Sequence, residues 1–456
     1  MKTARTCTLI GILAVAVFAA SPTVAGAQGT PQLLPGQESI PTPTAQSAPV
    51  QPVADGNGTA SGSASNNVAF DNGLWDGASI GEGCSLCGGG SCNPPDWYTE
   101  QGVRFFGRSK PRHMALGYLE TVIGSTDEGI SEKFSDRSAA PNMSVAYEMT
   151  LGHYFARDTL NRDHFVEFSF WGLNRFRDVA SVTSTQRLTQ SSGDNTITAG
   201  NLYSPYAVFK TSSLLGGTLA LTGTLVPGFD EVEKYTTYYS SYTNNFEING
   251  RIVPRGEDDQ VVLHPDGKWR RECRPGRYIS YLYGLRFMKI DETFRFHGLG
   301  LTETHDSSGT LIDSVVNSGE YDVCTHNNLL GLQIGADMMF RECRWSWGLR
   351  AKVGPYVNFA DQVSNVAAGV DGETPDFSQH LSSARHVAAL IGEVGLTATY
   401  KFRPNLVGRA SYDMMWVTGL ALAPEQLQFA VSPVNQINTN GTAVMHGPSL
   451  GLEWLW

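Results

Sequence analysis

Charged side chains recur at alternate positions within otherwise apolar segments of the second half of the chain. Acids and bases are mixed, and Glu393 and Arg409 fall in neighbouring segments. Such charges would tune selectivity if they lined an open pore, and they would pair with one another across a closed lumen. Both interpretations stay open. The candidate lumen-facing residues are Glu247, Arg251, Arg286, Asp337, Arg350, Lys352, Glu393, Lys401, Arg409, Asp413 and Glu453.

Nucleophiles, bases and potential metal ligands form no catalytic constellation. Cys84 and Cys87 have the CxxC spacing of a zinc or redox site, but with Cys92 they supply three ligands where tetrahedral zinc needs four. Local disulfide pairing is the simpler interpretation, and the role of this patch stays open. Residues 77–81 match the G-x-S-x-G pattern of hydrolases, yet they lie in a Gly-rich loop without the flanking strand and helix. We therefore predict no enzyme, no cofactor and no metal.

The elements that position the charges are strands, because apolar and polar residues alternate with period two from about residue 98 onward. In residues 390–402, Val394 and Leu396 share one face, whereas Glu393 and Lys401 share the other. Successive side chains of a strand point to opposite faces, so each such segment has one apolar face. The other segments are 98–108, 143–155, 164–174, 242–253, 277–290, 293–304, 328–340, 345–358, 406–416 and 442–456.

The lengths of these segments favour a membrane barrel over a soluble sandwich. Both architectures alternate, but globular strands usually hold about 5–6 residues. Each segment here holds at least 11 residues, and a tilted strand needs about 9–11 to cross a bilayer. The polar faces also carry charges and glycines, as a lumen would.

The connections support the same conclusion, because long and short ones alternate along the chain. Outer-membrane barrels have long outer loops and short periplasmic turns, whereas a sandwich has no reason to sort its loops. We expect long connections at 254–276, 305–325, 359–385 and 419–441, and short ones at 291–292, 341–343 and 403–404.

The predicted fold is all-β: a transmembrane antiparallel up-and-down β-barrel of about 12 strands over residues 97–456. Eleven segments are visible, and single-chain bacterial barrels have even strand numbers. We expect the missing strand within 218–226, with ten or fourteen strands as alternatives. Aromatic residues on the apolar faces would lie at strand ends, in the girdles of a membrane–water interface.

The N-terminal part of the chain predicts export. Lys2 and Arg5, an apolar stretch and an Ala-Gly-Ala site at 25–27 form a signal peptide over residues 1–27. Residues 28–96 are rich in Pro, Ser, Thr and Gly, which predicts a disordered linker that ends in the Cys-rich patch. The expected location is the cell outer membrane.

Composition excludes several classes of protein. Charged residues make up 17% and hydrophobic residues 41%, and mean hydropathy is -0.19, so no helical membrane protein is expected. The net charge of -11 argues against a nucleic-acid partner. Aromatic residues at 10% argue against a disordered chain.

One disulfide is predicted from the topology. Cys273 and Cys324 precede strands that run in the same direction, so both would lie at the outer rim and could pair. Cys343 would lie in a turn at the opposite end, beyond the roughly 4.4–6.8 Å Cα separation that a disulfide requires.

Several motifs resemble the outer-membrane β-barrel porin family of planctomycetes, of the beta barrel porin-7 type. The resemblance covers about residues 97–456 and is strongest from residue 242 onward. It implies an outer-membrane barrel and a porin, without catalytic residues and without a known substrate. The motifs are NNFEIN at 244–249, YGLRF at 283–287, NNLLGLQIGAD at 327–337, GEVGL at 392–396, ALAPEQL at 421–427 and HGPSLG at 446–451.

Three functions are compared. The first is a porin that lets small solutes pass, and the second is a closed structural or adhesive barrel that acts through its outer loops. An outer-membrane hydrolase is the third and has the least support. The expected partners are outer-membrane lipid and the barrel-assembly machinery, which recognises the C-terminal strand with its terminal aromatic residue. A homo-oligomer and the identity of the solute stay open.

Overall fold

Ten long antiparallel strands form the main sheet of the computed structural model. The chain is described over residues 96–123, 127–139, 143–160, 162–192, 194–206, 209–211, 219–221, 225–254, 260–263, 269–272, 276–342, 344–403, 405–430 and 432–456. The predicted signal peptide, the Cys84–Cys92 patch and all but the last residue of the predicted linker lie outside these ranges. Their assignment stays a prediction. The ten strands are β1 Trp97–Arg108, β2 Met143–Arg157, β3 Arg162–Thr183, β4 Lys234–Pro254, β5 Gly276–His305, β6 Leu311–Arg341, β7 Trp345–Val370, β8 Phe377–Arg403, β9 Leu406–Leu420 and β10 Gly441–Leu455.

These ten strands close into a ring. Each pairs with the next along the chain, and β10 returns to β1, where Gln101 lies opposite Leu452. A hairpin of Arg187–Ser192 and Asn195–Gly200 continues the sheet beside the end of β5, which brings the sheet to twelve strands. The predicted all-β, antiparallel, up-and-down barrel with about twelve strands is confirmed, and ten of the strands make the closed wall.

One strand replaces two predicted ones at β5, so the predicted turn at 291–292 is wrong. The acidic pair there stays in the strand because both carboxylates have partners: Asp291 contacts His326 Nδ1 at 2.8 Å, and Glu292 pairs with Arg108. The predicted barrel strand within 218–226 is also wrong. Among the described residues of this range, Leu219–Leu221 is a strand, and it pairs with Phe209–Thr211 outside the ring.

The loss of that turn reverses the direction assigned to earlier strands. We call the end of the ring that holds Trp97 and Trp456 the turn end; their backbones exchange two hydrogen bonds of 3.0 Å. The connections 158–161, 255–275, 342–344 and 404–405 lie there, so the long connection before β5 is not an outer loop as predicted. The opposite end, called the loop end, holds 109–142, 184–233, 306–310, 371–376 and 421–440.

Two predicted loops are largely strand. Residues 305–325 and 359–385 belong mostly to the hairpins β5–β6 and β7–β8, whose strands hold 30, 31, 26 and 27 residues. Strands β1, β2, β9 and β10 hold only 12 to 15 residues. The wall is therefore much taller on the β5–β8 side.

A second, four-stranded sheet lies at the loop end and is called the cap. It consists of Ala115–Ile123, Asp127–Ser135, Leu202–Tyr203 and Asp230–Val232. Its buried side chains, among them Leu202 and Val232, share an apolar core with Phe296 of β5 and Tyr321 of β6. The cap is thus held against the inner face of the tall wall. The remaining short elements are a hairpin of Gln260–Leu263 and Trp269–Glu272, and a 3-10 helix at Ala423–Gln426.

The outer face of the ring carries an apolar belt. On β6 every outward residue from Leu330 to Phe340 is apolar, whereas the next outward residues are Asn328 and His326. Ten residues rise about 34 Å along a strand, or about 26 Å along the axis at a tilt of about 40°. That height matches the lipid-facing band of outer-membrane barrels, which is about 25 Å.

Aromatic side chains mark the turn end of the belt. Phe340 stacks on Trp347 with ring centroids 4.5 Å apart, and Trp345 lies 4.6 Å from Tyr400. Large amphipathic rings suit a membrane–water interface. The exposed aromatics at this end include Trp97, Phe155, Trp345, Trp347, Phe402, Trp454 and Trp456. No helix in the described ranges is long and apolar enough to span a membrane.

The belt predicts a position-dependent cost of charge. We expect Ile334→Arg, at a side chain that is 65% exposed within the belt, to lower the free energy of unfolding in lipid vesicles by about 2–4 kcal/mol. Ser382→Arg, on the outward face of β8 beyond the belt, should change it by less than about 1 kcal/mol. Urea unfolding followed by tryptophan fluorescence measures both. Equal costs would mean that lipid does not cover the belt.

The cap predicts a pH dependence of its own. Burial raises the pKa of Asp230 to about 6, although its carboxylate accepts hydrogen bonds from Val226 and Ser204. The folded cap therefore holds this proton more tightly than the unfolded segment. The contribution of the protonated Asp230 carboxyl to the stability of the cap is complete below about pH 4 and is lost as the pH rises through about 6. Hydrogen exchange at the Val226 and Ser204 amides should become less protected over this range, and Asp230→Asn should flatten the change. Burial also raises the pKa of Asp136 to about 6, and this residue is unchanged in both proteins, so the difference between them reports on Asp230. Protection that stays constant between pH 4 and 7 in the wild type would contradict this assignment.

Candidate functional site in the barrel interior

The inward side chains of the ring fill it in three layers. A polar vestibule lies at the turn end, an ion-pair layer crosses the middle, and a folded segment closes the loop-end side. Each layer depends on the period-two alternation, because the strands that show apolar residues to the outside show polar residues to the inside.

The ion-pair layer is centred on Arg286 of β5, which is 1% exposed. Its guanidinium lies 3.5 Å from Glu247 of β4 and 3.3 Å from Glu393 of β8. Lys352 of β7 lies 3.2 Å from the same Glu247 and 3.7 Å from the same Glu393. Arg286–Glu247 and Lys352–Glu393 join neighbouring strands, whereas Arg286–Glu393 and Lys352–Glu247 cross the lumen between strands that are not neighbours.

A third base extends the layer to the far wall. Arg104 of β1 bonds Glu148 of β2 at 2.9 Å and lies 3.6 Å from Asp413 of β9 and 3.9 Å from Glu393. Seven of the ten strands thus contribute to the layer. With four acids and three bases, it carries one net negative charge.

Amide side chains saturate the buried carboxylate at the centre. Glu247 accepts hydrogen bonds from Asn245 at 3.0 Å, Asn249 at 3.1 Å and Gln333 at 2.8 Å. A buried charge is costly unless it is paired and hydrogen-bonded, and Glu247 is both. These three amides fix the position of Glu247 independently of the two cations.

The vestibule lies between the ion-pair layer and the turn end and holds a cavity of about 140 Å³. Arg251 pairs there with Glu167 and Asp337, and Arg350 lies 3.2 Å from the same Asp337. Arg409 pairs with Glu100. Both signs of charge line this space, so it has no strong preference for either sign of ion.

The loop-end side of the lumen is closed by residues 419–440, which we call the plug. Gly419 has a φ of +74°, a left-handed conformation that turns the chain into the ring after β9. Asn327 of β6 holds both backbone groups of Ala421: its amide donates to the carbonyl at 2.8 Å and its oxygen accepts from the N–H at 2.7 Å. Asn358 of β7 donates to the Gly419 carbonyl at 2.8 Å.

An ion pair fixes the next part of the plug. The Ala423 N–H donates to Glu292 at 2.9 Å, and the other oxygen of this carboxylate pairs with Arg108 of β1 and accepts from Tyr239 of β4 at 3.1 Å. The plug is also tied to itself, because Gln426 bonds the returning segment at Asn438 in both directions, at 2.7 and 2.8 Å. It is therefore a folded element and not an extended loop.

The wall behind the plug is polar and only partly satisfied. The side-chain atoms of Thr325, Gln362 and Ser364 are buried and have no hydrogen-bond partner in the described part of the chain. They lie one and two rows beyond Asn327 on the same inner face of β6 and β7. Buried polar groups are rarely left without partners, so this surface suits water or a polar solute better than it suits the plug.

All eleven charges selected from the sequence lie on barrel strands. Five belong to the ion-pair layer: Glu247, Arg286, Lys352, Glu393 and Asp413. Lys352 also lines the vestibule, together with Arg251, Asp337, Arg350, Lys401, Arg409 and Glu453. Their role in the passage of solutes stays a prediction.

Sequence reasoning missed the residues that hold the plug. Asn327 lies one residue before the predicted strand 328–340, Glu292 lay in the predicted turn, and Asn358 was assigned to a polar face without a role. Arg104 and Glu148 were missed because the early strands alternate weakly. The motif NNLLGLQIGAD, which begins at Asn327, was the available signal.

Cys324 lies within β6, opposite Thr293 and Val363, and is disulfide-bonded. Cys273 falls outside the described residues, so the predicted pairing of the two stays a prediction. The described residues contain no group of three or more His, Cys, Asp or Glu that could hold a metal ion.

A family model described as "Putative beta barrel porin-7" matches residues 264–451. The match spans β5 to β9, most of β10 and the whole plug. The resemblance to this porin family is thus confirmed over that range, whereas the association with planctomycetes stays a prediction. No curated protein matches the sequence.

Among solved structures, the chain is similar to a deltaS2 mutant of the monoaromatic hydrocarbon channel TodX, with 8% identity, a TM-score of 0.20, and 79% of this chain and 90% of that one covered. The Ralstonia pickettii toluene transporter TbuX is 8% identical, with a TM-score of 0.20 and with 80% of this chain and 90% of that one covered. OmpT of Vibrio cholerae is 11% identical, with a TM-score of 0.10 and with 78% of this chain and 98% of that one covered. Similarity at this level carries no argument about the function of this chain.

The ion-pair layer predicts an unequal cost of removing acids. We expect Glu247→Ala to lower the free energy of unfolding by about 3–5 kcal/mol, because Arg286 and Lys352 would lose a shared buried partner. Glu320→Ala, which breaks an exposed pair with Arg295, should cost at most about 1 kcal/mol. Urea unfolding in vesicles compares the two variants. A Glu247→Ala cost as small as that of Glu320→Ala would show that the layer is solvated.

Proposed function

We propose that the chain is an outer-membrane β-barrel of the porin type whose lumen is closed by the plug and conducts small solutes when the plug leaves. The observation that carries this proposal is the wall behind the plug, where Thr325, Gln362 and Ser364 are buried without partners. A barrel built to remain closed would be expected to satisfy these groups or to replace them with apolar ones.

The membrane location is supported by the outer face of the ring. The apolar belt has the height of a lipid bilayer core, and tryptophans edge it at the turn end. Closure of the sheet removes free edges within the belt, which lipid requires because it offers no hydrogen bonds to backbone groups. The match of residues 264–451 to a porin family points the same way.

The way the plug is held also supports a removable closure. Asn327, Asn358 and Glu292 bind it mainly through backbone groups of Gly419, Ala421 and Ala423. A net hydrogen bond contributes about 0.5–1.5 kcal/mol, since water replaces it when it breaks. Leu422 adds apolar contact with the barrel wall. Release of the plug would exchange these bonds for water and would expose Leu422, Leu427 and Ile437, each at most 5% exposed when the plug is in place.

The ion-pair layer would then limit what passes. Its acids and bases sit on long side chains that cross a narrow ten-stranded ring, so only small ions and small polar solutes are expected to move between them. The fold and the family match favour a role that is not enzymatic. Outer-membrane lipid and, through the terminal strand with Trp454 and Trp456, the barrel-assembly machinery are the proposed partners. Export through the N-terminal signal peptide and self-association belong to this proposal as well.

A closed structural or adhesive barrel is the second candidate. It is favoured by the apolar cluster in which the plug takes part, which includes Leu329, Ile391, Val417 and Leu422 and packs the lumen next to the ion-pair layer. The tall hairpins β5–β6 and β7–β8 would then present the working surface.

A planar bilayer separates the two candidates. We expect the double variant Asn327→Ala, Asn358→Ala to show stepwise conductance with an open fraction at least tenfold above that of the wild type, because the plug loses its bonds to Ala421 and Gly419. Asn365→Ala, an exposed asparagine farther along β7, is the matched control and should behave like the wild type. Heat-modifiable gel mobility establishes that each protein is folded. Folded proteins that are all silent would favour the structural barrel and contradict the porin.

A further inference from the structure

Strand β3 changes its alternation halfway along the barrel. Before Trp171 the exposed residues are Val166 and Phe168, whereas after it they are Leu173, Arg175 and Arg177. The cause is a β-bulge: Thr243 of β4 pairs with Asn174 and Asn245 pairs with Trp171, so β3 has one extra residue there.

The bulge carries backbone strain. Leu173 has a φ of +63°, which a residue with a Cβ rarely adopts, and its N–H donates to the side chain of Asn244 at 3.2 Å. Without the extra residue, Arg175 and Arg177 would follow the inward series of Phe165 and Glu167. Because of the bulge, Arg175 and Arg177 lie on the outer face of β3 and not on its inner face.

These two arginines have no acidic partner in the part of the chain that the structure describes. Arg175 donates to Ser240 Oγ at 3.2 Å, and for Arg177 the described residues supply neither a hydrogen bond nor an ion pair. The neighbouring cations are paired, since Lys289 lies 3.1 Å from Asp291 and Arg295 lies 3.0 Å from Glu320. The two arginines are two residues apart on one face, so their Cα atoms are about 7 Å apart along the strand.

An aromatic surface lies directly below the arginines, at the edge of the apolar belt. Phe170, Phe246 and Phe287 form a row across β3, β4 and β5, with ring centroids 4.9 and 6.4 Å apart. Tyr242 lies opposite Arg175 and begins the polar zone of β4. Apolar rings therefore meet unpaired positive charge at the height where lipid chains meet their headgroups.

We propose that Arg175 and Arg177 bind the phosphate group of a membrane lipid whose acyl chains lie on Phe170, Phe246 and Phe287. The planar guanidinium matches phosphate oxygens through paired hydrogen bonds, and two arginines so spaced can hold one phosphate or bridge two. The inference rests on the proposed membrane location and adds a lipid site that passage of solutes does not require.

The test compares lipids that differ only in the phosphate. Folded protein in nonionic detergent is incubated with dimyristoylphosphatidic acid or with dimyristoylglycerol, and native mass spectrometry counts the lipids retained. We expect the wild type to retain the phosphate lipid and the double variant Arg175→Gln, Arg177→Gln to retain roughly tenfold less or lower still. Arg175→Lys, Arg177→Lys should retain an intermediate amount, because lysine keeps the charge and loses the fork.

The matched control removes two exposed arginines at the turn end, with Arg277→Gln and Arg403→Gln, and should retain lipid like the wild type within twofold. Equal losses in both double variants would reduce the effect to general charge and overturn the proposal. So would equal retention of dimyristoylglycerol, or displacement of the lipid by millimolar inorganic phosphate. Vesicle insertion of the wild type is scored separately by heat-modifiable mobility, so failure of the membrane location is distinguished from failure of the lipid site.

Discussion

The narrowness of a ten-stranded ring is the constraint from which the rest follows. Inward side chains from opposite walls meet, so any charge placed inside must find a partner of opposite sign or remain buried alone at a large cost. Arg286 meets Glu247 and Glu393 across the lumen for this reason, and Arg104 reaches three acids on three strands. The same alternation that fills the interior with charge leaves the outer wall apolar, so the interior network and the lipid belt are two faces of one pattern.

The three layers of the interior differ in how firmly they are held. The ion-pair layer is closed on every side by charge and by amides that share Glu247, so its members depend on one another. The plug, in contrast, is joined to the wall by asparagines and by one carboxylate, with unpaired polar atoms behind it. Movement is therefore easier at the plug than at the ion-pair layer. In the proposed function, this difference makes the plug, and not the ion-pair layer, the part that moves.

Alternation predicted the barrel, its antiparallel order and the strand segments from residue 328 onward, because side-chain period is a local property of the chain. It failed where contacts between distant residues decided the outcome. Asp291 and Glu292 read as a turn, yet His326 and Arg108 from other strands keep them in β5. Which side chains of β3 point outward after Trp171 depends on a bulge, and the bulge can be recognised only from the pairing of β3 with β4. The plug could not be predicted from alternation for the same reason. Its anchors, Asn327 and Asn358, have the pattern of ordinary strand residues, and they contact the plug because Gly419 turns the chain into the ring.

The unequal height of the wall has a consequence for how the protein meets other chains. Strand β9 begins to pair with β8 only at Ile391, so residues 377–390 of β8 have β7 on one side and no second strand on the other within the described residues. An unpaired edge of this length is a template on which strands of other molecules can add, which leads to aggregation. Here the edge is rich in polar and charged groups, including Ser382, Arg385 and His386, and these discourage such addition. The tall hairpins thus extend the barrel surface with a free edge whose side chains oppose the addition of further strands.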